Sequence, residues 1–329
     1  MCGISGFIGN SKDPELSFIL SSKLFEQIEI RGKDSAGVWA SNQKKQIFYH
    51  KEPVQSSVFV KNSFWKKIKK FNANIMLCHA RKASAGVGVP TTNKNNHPFV
   101  SNDKKTALIH NGRVHDLEYE YLTQYYSVNG DCDSEILLRV FENSENDLAA
   151  IENIWTFSSM AMMAVAIAKN EADRQRLYLF RNQYRPICVL DLQDCLGQIF
   201  FCSTPQIWEN CLLDRKIRNL LKKRVKLINL PTEEVWFFEL FSEIKKEIYE
   251  IKPTNKFKTL KGQPKTLLKP PVRLLNAISG LDDQEEPLNR KPLKNDCKAP
   301  EQGPINPYFN NKFWCHQKDK MLLGCEFQN

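Results

Sequence analysis

No stretch of this 329-residue chain is apolar for long enough to cross a bilayer; the longest run, residues 160–168, falls far short of the roughly 20 residues a spanning helix needs. No charged-then-apolar signal segment precedes residue 2, so a soluble, cytoplasmic protein with no membrane partner is expected. The ten cysteines lack the spacing of a small disulfide scaffold. Cys78, Cys188 and Cys202 fall inside apolar, strand-like runs, where a free thiol behaves as a small hydrophobe. His79, His97 and His110 match no closed zinc set, and Cys315-His316 with Cys325 lacks an evident fourth ligand, so no metal is expected. Internal repeats are absent. Acid is missing altogether from residues 251–275, which hold seven Lys or Arg and four Pro. Pro287, Pro292, Pro300, Pro304 and Pro307 carry the pattern onward without core-forming periodicity, which predicts a basic, partly irregular arm over residues 251–329.

What remains is ordinary globular composition, 42% hydrophobic and 26% charged, enough to bury a full core over about two domains. The net charge of +10 permits acidic partners. Nucleic acid is disfavoured without being excluded, since residues 251–275 offer a single aromatic, Phe257, for stacking.

The chain opens Met1-Cys2-Gly3-Ile4-Ser5-Gly6-Phe7-Ile8-Gly9. Removal of Met1 would place a thiol and an α-amine on one residue. Their ordinary pKa values, about 8.5 and about 7.7–8.0, let the amine take the thiol's proton near neutrality and later return one. The apolar residues that follow read as a strand tied into a sheet rather than a frayed end. An ordinary first strand with a buried Cys fits these nine residues equally well.

Asp13-Pro14 reads as a helix cap, with Leu16, Ile19, Leu20, Leu24 and Ile28 at helical spacing up to Arg31-Gly32. Strands are expected at residues 36–40, 46–50, 74–79 and 106–110, and a basic amphipathic helix across 58–71. Residues 82–101 form a long loop of the kind that serves as a lid. Asp133 opens a helix with Ile136, Leu137, Val140 and Phe141 on one face. Further strands are expected at 160–168, 177–181, 186–190, 199–202 and 234–240, with helix from 206 to about 223.

Four short motifs stand in order: Cys2-Gly3-Ile4-Ser5-Gly6, Arg31-Gly32-Lys33-Asp34-Ser35-Ala36-Gly37, His79-Ala80-Arg81 with Ser84 and Gly86, and His110-Asn111-Gly112. Asp131-Cys132-Asp133-Ser134-Glu135 follows. Together they resemble the class II glutamine amidotransferase domain of the N-terminal-nucleophile (Ntn) hydrolases, over residues 2–250. The resemblance implies an α+β fold, a four-layer αββα sandwich with the C-terminal arm appended. It implies hydrolysis of L-glutamine to L-glutamate and ammonia at Cys2, without metal or organic cofactor.

Splitting a carboxamide passes through a tetrahedral oxyanion that needs preorganised donors. Asn111 can offer its side-chain NH₂, and Gly112, lacking Cβ, an approachable backbone N–H. Asn-Gly is equally the pair of a tight hairpin turn. By resemblance, Arg81 takes the substrate α-carboxylate, which a guanidinium fork suits. Ser84 helps at the same end, Asp133 takes the α-ammonium, and Arg31 supports the N-terminal strand. Asp133 would also serve as an ordinary helix cap. Lys33, Lys82 and Ala85 depart from the family pattern, which bears on loop closure and on coupling to a synthase site. About 80 residues after position 250 are too few for the usual ammonia-using domains, and no Gly-rich phosphate loop is present, so a separate synthase subunit is expected as partner. The competing expectations are an N-terminal-cysteine amidase for another amide and a non-catalytic glutamine-sensing or scaffold subunit.

Overall fold

The central strands are apolar along nearly their whole length, so successive side chains point to two opposite surfaces, and the fold buries both. The computed structural model describes residues 1–83, 88–158 and 162–251. The first part runs β1 (Gly3–Gly9), α1 (Pro14–Gln27), a 3-10 turn (Ile28–Arg31), β2 (Ser35–Asn42), β3 (Ile47–Glu52), α2 (Ser56–Phe59), α3 (Ser63–Phe71) and β4 (Ala73–Arg81). A second 3-10 turn (Asn93–Asn95) leads to β5 (Phe99–Val100), β6 (Thr106–His110), α4 (Asp116–Thr123), α5 (Glu135–Asn143) and α6 (Asp147–Ser158). Next come β7 (Ala164–Asn170), β8 (Gln175–Arg181), β9 (Cys188–Leu192), α7 (Gln193–Leu196) and β10 (Gln198–Cys202). The described chain closes with α8 (Pro205–Cys211), α9 (Arg215–Leu221), β11 (Lys226–Asn229), β12 (Glu234–Leu240) and β13 (Ile244–Glu250).

The strands form two antiparallel sheets, ordered β11-β9-β10-β1-β4-β2-β3 and β13-β12-β8-β7-β6-β5. On β1, Ile4 and Ile8 point into the core between the sheets, while Phe7 packs on the other side with Leu16, Leu20 and Leu24 of α1. On β6, Ala107 and Ile109 enter the same inter-sheet core, and Leu108 packs with Ile136 and Leu137 of α5 and Ile151 and Ile154 of α6. This period-two division produces three cores and therefore four layers, the expected αββα sandwich.

The capping residues behave as their chemistry dictates. Asp13 accepts the Leu16 N–H at 2.9 Å ahead of Pro14 at the start of α1. Where one helix was expected over 58–71, the structure has α2 and α3, because Asn62 caps a new start by accepting the Trp65 N–H at 2.9 Å. The helical stretch from 206 is likewise split into α8 and α9 by Asp214, which accepts from Lys216 and Ile217. No expectation stood behind α4, α6, α7, β11 and the edge strand β13, and β5 falls inside the stretch expected to be loop.

Strand β13 pairs with β12 from Ile244↔Leu240 to Glu250↔Glu234. Its successor Ile251 is buried, and its N–H donates to Glu233 O at 2.7 Å. Ile251 thus belongs to the folded domain rather than to the arm. The rest of the arm, 252–329, lies outside the described residues.

Candidate active site

Strand β1 lies between β10 and β4 in the middle of its sheet, with Gly3 opposite Ala80. That register sets Cys2 at the end of β1 next to Arg81 at the end of β4. Strand β6 of the facing sheet ends at His110, so Asn111 and Gly112 emerge at the same end. The start of β1 is anchored twice: Arg31 Nε donates to Cys2 O at 2.9 Å, and Ile4 N donates to the Ser203 hydroxyl at 2.8 Å.

Cys2 N donates to Asn111 Oδ1 at 3.1 Å. An N–H can only donate, so this contact assigns the oxygen end of the Asn111 amide. Its Nδ2 is buried and has no hydrogen-bond partner among the described residues. Two donated hydrogens left without an acceptor in a buried site carry a desolvation cost that an incoming oxygen would relieve. Gly112 must be glycine: a Cβ there would overlap Met162 O and the His110 ring.

The Cys2 thiol is held beside Lys82, whose backbone N–H lies 3.4 Å from Sγ and whose carbonyl lies 3.6 Å away. Burial pushes the thiol pKa up, while the Lys82 N–H, the chain-terminal amine and Arg81 pull it down. The amine at Met1 is held below its ordinary value by burial; Cys2 opposes this, and Arg31, Arg185 and Lys82 add to it. Arg185, in the loop between β8 and β9, was not singled out for a role in the sequence. Its Nε is buried and has no hydrogen-bond partner among the described residues. Nothing local in a sequence says which strand end a loop residue will face.

Arg81 is buried. Its Nη1 donates to Asn96 Oδ1 at 3.0 Å and its Nη2 to Gly88 O at 2.9 Å, so the part of the loop over 88–96 lies against it. Asp133 Oδ2 accepts the Val114 N–H at 2.7 Å. It therefore ties the turn after Gly112 to the start of α5 rather than capping that helix, whose first residue is Glu135. Asp34 holds the far side by accepting the Ala83 N–H at 2.8 Å. Ser84 lies outside the described residues.

The three histidines sit behind this site. His79 and His97 stack with ring centroids 4.0 Å apart, and His79 Nε2 meets His110 O at 3.1 Å. His110 Nδ1 meets the Ser134 hydroxyl at 2.9 Å. Burial drives all three down, His79 to about 3, His110 to about 4 and His97 well below its ordinary value, so they are neutral packing groups at pH 7. No cluster able to hold a metal ion is found among the described residues. A cleft of about 830 Å³ lined by Asp103, Asp147, Lys169, Arg176 and Glu239 lies at the opposite end of β6 from Asn111. Among the described residues no helix is long and apolar enough to cross a membrane.

Residues 28–169 match the family described as class-II glutamine amidotransferases. The glutamine–fructose-6-phosphate aminotransferase [isomerizing] of Sulfolobus acidocaldarius is 32% identical over 146 residues, which is 43% of this chain and 23% of that protein. Its namesake from Staphylococcus aureus is 29% identical over 189 residues, 56% of this chain and 29% of that protein. The chain therefore spans well under half the length of these curated relatives. Among solved structures, the allosteric regulatory enzyme of purine biosynthesis aligns over 78% of this chain and 50% of its own, with TM-score 0.54 and 19% identity. Glutamine phosphoribosylpyrophosphate amidotransferase from B. subtilis aligns over 77% and 50%, with TM-score 0.53 and 18% identity. The ordered motifs, the four-layer sandwich and these likenesses agree: residues 28–169 match class II glutamine amidotransferases, and the chain has the Ntn-hydrolase fold.

Proposed function

We propose that this chain hydrolyses L-glutamine to L-glutamate and ammonia through a thioester on Cys2, and that the ammonia passes to a separate synthase subunit. The observation that carries the reading is Asn111, which accepts from Cys2 N with one end of its amide and leaves a buried, unpartnered NH₂ at the other.

Once Met1 is removed, the Cys2 amine takes the thiol proton and Sγ adds to the carboxamide carbon. The carbonyl oxygen becomes an oxyanion, received by Asn111 Nδ2 and the Gly112 N–H. The amine then protonates the leaving nitrogen, the C–N bond breaks and ammonia departs. Water, losing a proton to the same amine, adds to the thioester; the C–S bond breaks, glutamate leaves and Sγ regains its proton. Every step is proton transfer, carbonyl addition or expulsion of a leaving group, so this half-reaction calls for no metal or organic cofactor. Arg81, with Ser84, takes the substrate α-carboxylate and Asp133 the α-ammonium, while Arg31 keeps Cys2 aligned through its carbonyl. A pocket for an N-acylated amine has no use for an ammonium-binding carboxylate, which favours glutamine over the alternative amidase.

The test is steady-state ammonia release from L-glutamine by the full chain and by Cys2→Ala. Release that disappears in the variant supports the reading. A wild-type chain that binds glutamine without releasing ammonia is a sensor or scaffold, and the reading fails.

A further inference from the structure

The loop over residues 88–96 ends in two adjacent, fully buried asparagines that face different partners. Asn96 accepts Arg81 Nη1 at 3.0 Å through Oδ1 and donates through Nδ2 to Pro90 O at 2.6 Å. Asn95 accepts the Asp131 N–H at 2.8 Å, and its Nδ2 donates to Val89 O at 3.2 Å and to Asp131 Oδ2 at 3.4 Å. Gly130 lets the chain come this close, because a Cβ there would overlap Asn95 Oδ1. From below, Lys51 of β3 donates to Asn96 O at 2.5 Å and to Pro98 O at 3.3 Å.

One short loop thus grips both ends of the glutamine clamp: Arg81 through Asn96, and through Asn95 the backbone two residues before Asp133. The chemistry at Arg81 is informative. Asn96 Oδ1 and Gly88 O are dipoles, so they orient the guanidinium without cancelling its charge. A carboxylate in their place would hold it as firmly and neutralise it.

We propose that Asn96 is a specificity-determining positioning residue: it aims Arg81 at the substrate α-carboxylate, while Asn95 sets the span to Asp133, so that the site selects a free α-amino acid over a bare amide. This inference rests on the glutaminase reading above. A group that acts by orienting another should change discrimination between substrates rather than the chemistry at the carboxamide.

The experiment compares kcat and KM for L-glutamine and for γ-aminobutyramide, which is glutamine without its α-carboxylate, in the full chain and in Asn96→Ala. The expected result is a rise of about 10- to 100-fold in KM for glutamine, the worth of one hydrogen bond to a charged group, with kcat nearly unchanged. For γ-aminobutyramide, kcat/KM should stay as it is, so that the preference for glutamine falls by the same factor. Asn96→Ser, which keeps a shorter polar group in the buried loop, should lose less of the preference and serves if the alanine variant does not fold. An unmoved KM, or equal losses on both substrates, overturns the inference and leaves the glutaminase reading standing. A wild-type chain that releases ammonia from neither amide overturns both.

Discussion

Asn111 and Cys2 meet through one hydrogen bond, Cys2 N to Asn111 Oδ1 at 3.1 Å, and that bond decides which way the Asn111 amide points. The acceptor end holds the nucleophile's residue and the donor end is left for the substrate. Asn111→Ala should lower kcat about 10²- to 10³-fold, the usual cost of one oxyanion donor. Asn111→Asp retains the acceptor for Cys2 N and loses the donor, so it should be as slow as alanine although Cys2 stays in place. Wild-type turnover in either variant would return Asn111-Gly112 to a simple turn.

Cys2 should be the one cysteine modified by a glutamine-analogue electrophile, in a protein whose intact mass lacks Met1. Burial raises the pKa of Cys188 to about 11 and those of Cys132 and Cys211 to about 12, which leaves almost no thiolate at pH 7. Peptide mapping after labelling reads this directly. Modification at another cysteine, or retained Met1 in active protein, contradicts the assignment.

Asp133 has two tasks that substitution can separate. Asp133→Ala removes both the negative charge and the acceptor for the Val114 N–H, so KM should rise and kcat should fall as the turn after Gly112 loosens. Asp133→Asn keeps an acceptor and loses the charge, so the change should fall mainly on KM, by an amount equivalent to roughly 2–5 kcal/mol. Equal kinetics for the two variants would mean that the charge has no part in binding.

The buried histidines make stability depend on pH. His79 and His110 have folded-state values of about 3 and about 4, below the ordinary value of about 6.5 that the unfolded chain shows. The unfolded state therefore takes up protons first as pH drops. The stability these groups allow is complete above about pH 6.5 and is lost progressively as pH falls, down to about pH 4 for His110 and about pH 3 for His79. Each contributes a loss on the order of 2 kcal/mol by about pH 5. Urea unfolding midpoints at neutral and mildly acid pH measure it; a flat profile would contradict the packing described here.

Truncation after Ile251 should leave glutamine hydrolysis intact, because Ile251 is buried, its N–H is bonded to Glu233 O, and all five sequence motifs lie before it. A cut before it exposes the core under β13 and should lower the thermal midpoint. If residues 252–329, whose first part is rich in Lys and Pro and free of acid, recruit the synthase, capture of that partner should be lost on truncation and should weaken as salt rises. Capture that survives truncation at equal salt would move the contact onto the folded domain.

The sequence alone determined what depends on local order. The apolar runs of β1, β4 and β6, the Asp13-Pro14 cap and the ordered motifs around Cys2, Arg81, Asn111 and Asp133 were legible, because composition and spacing are properties of the chain. It under-read the edge strand β13, whose Ile244-Lys245-Lys246-Glu247-Ile248-Tyr249-Glu250 pattern is mostly exposed and gains its structure from pairing with β12. The tertiary fold decided which groups meet. Asp133 bonds Val114 instead of capping its own helix, Asn96 reaches back to Arg81, and Arg185 comes to bear on Cys2. Each joins residues from different strand ends, and only the antiparallel register of two stacked sheets brings those ends to one place.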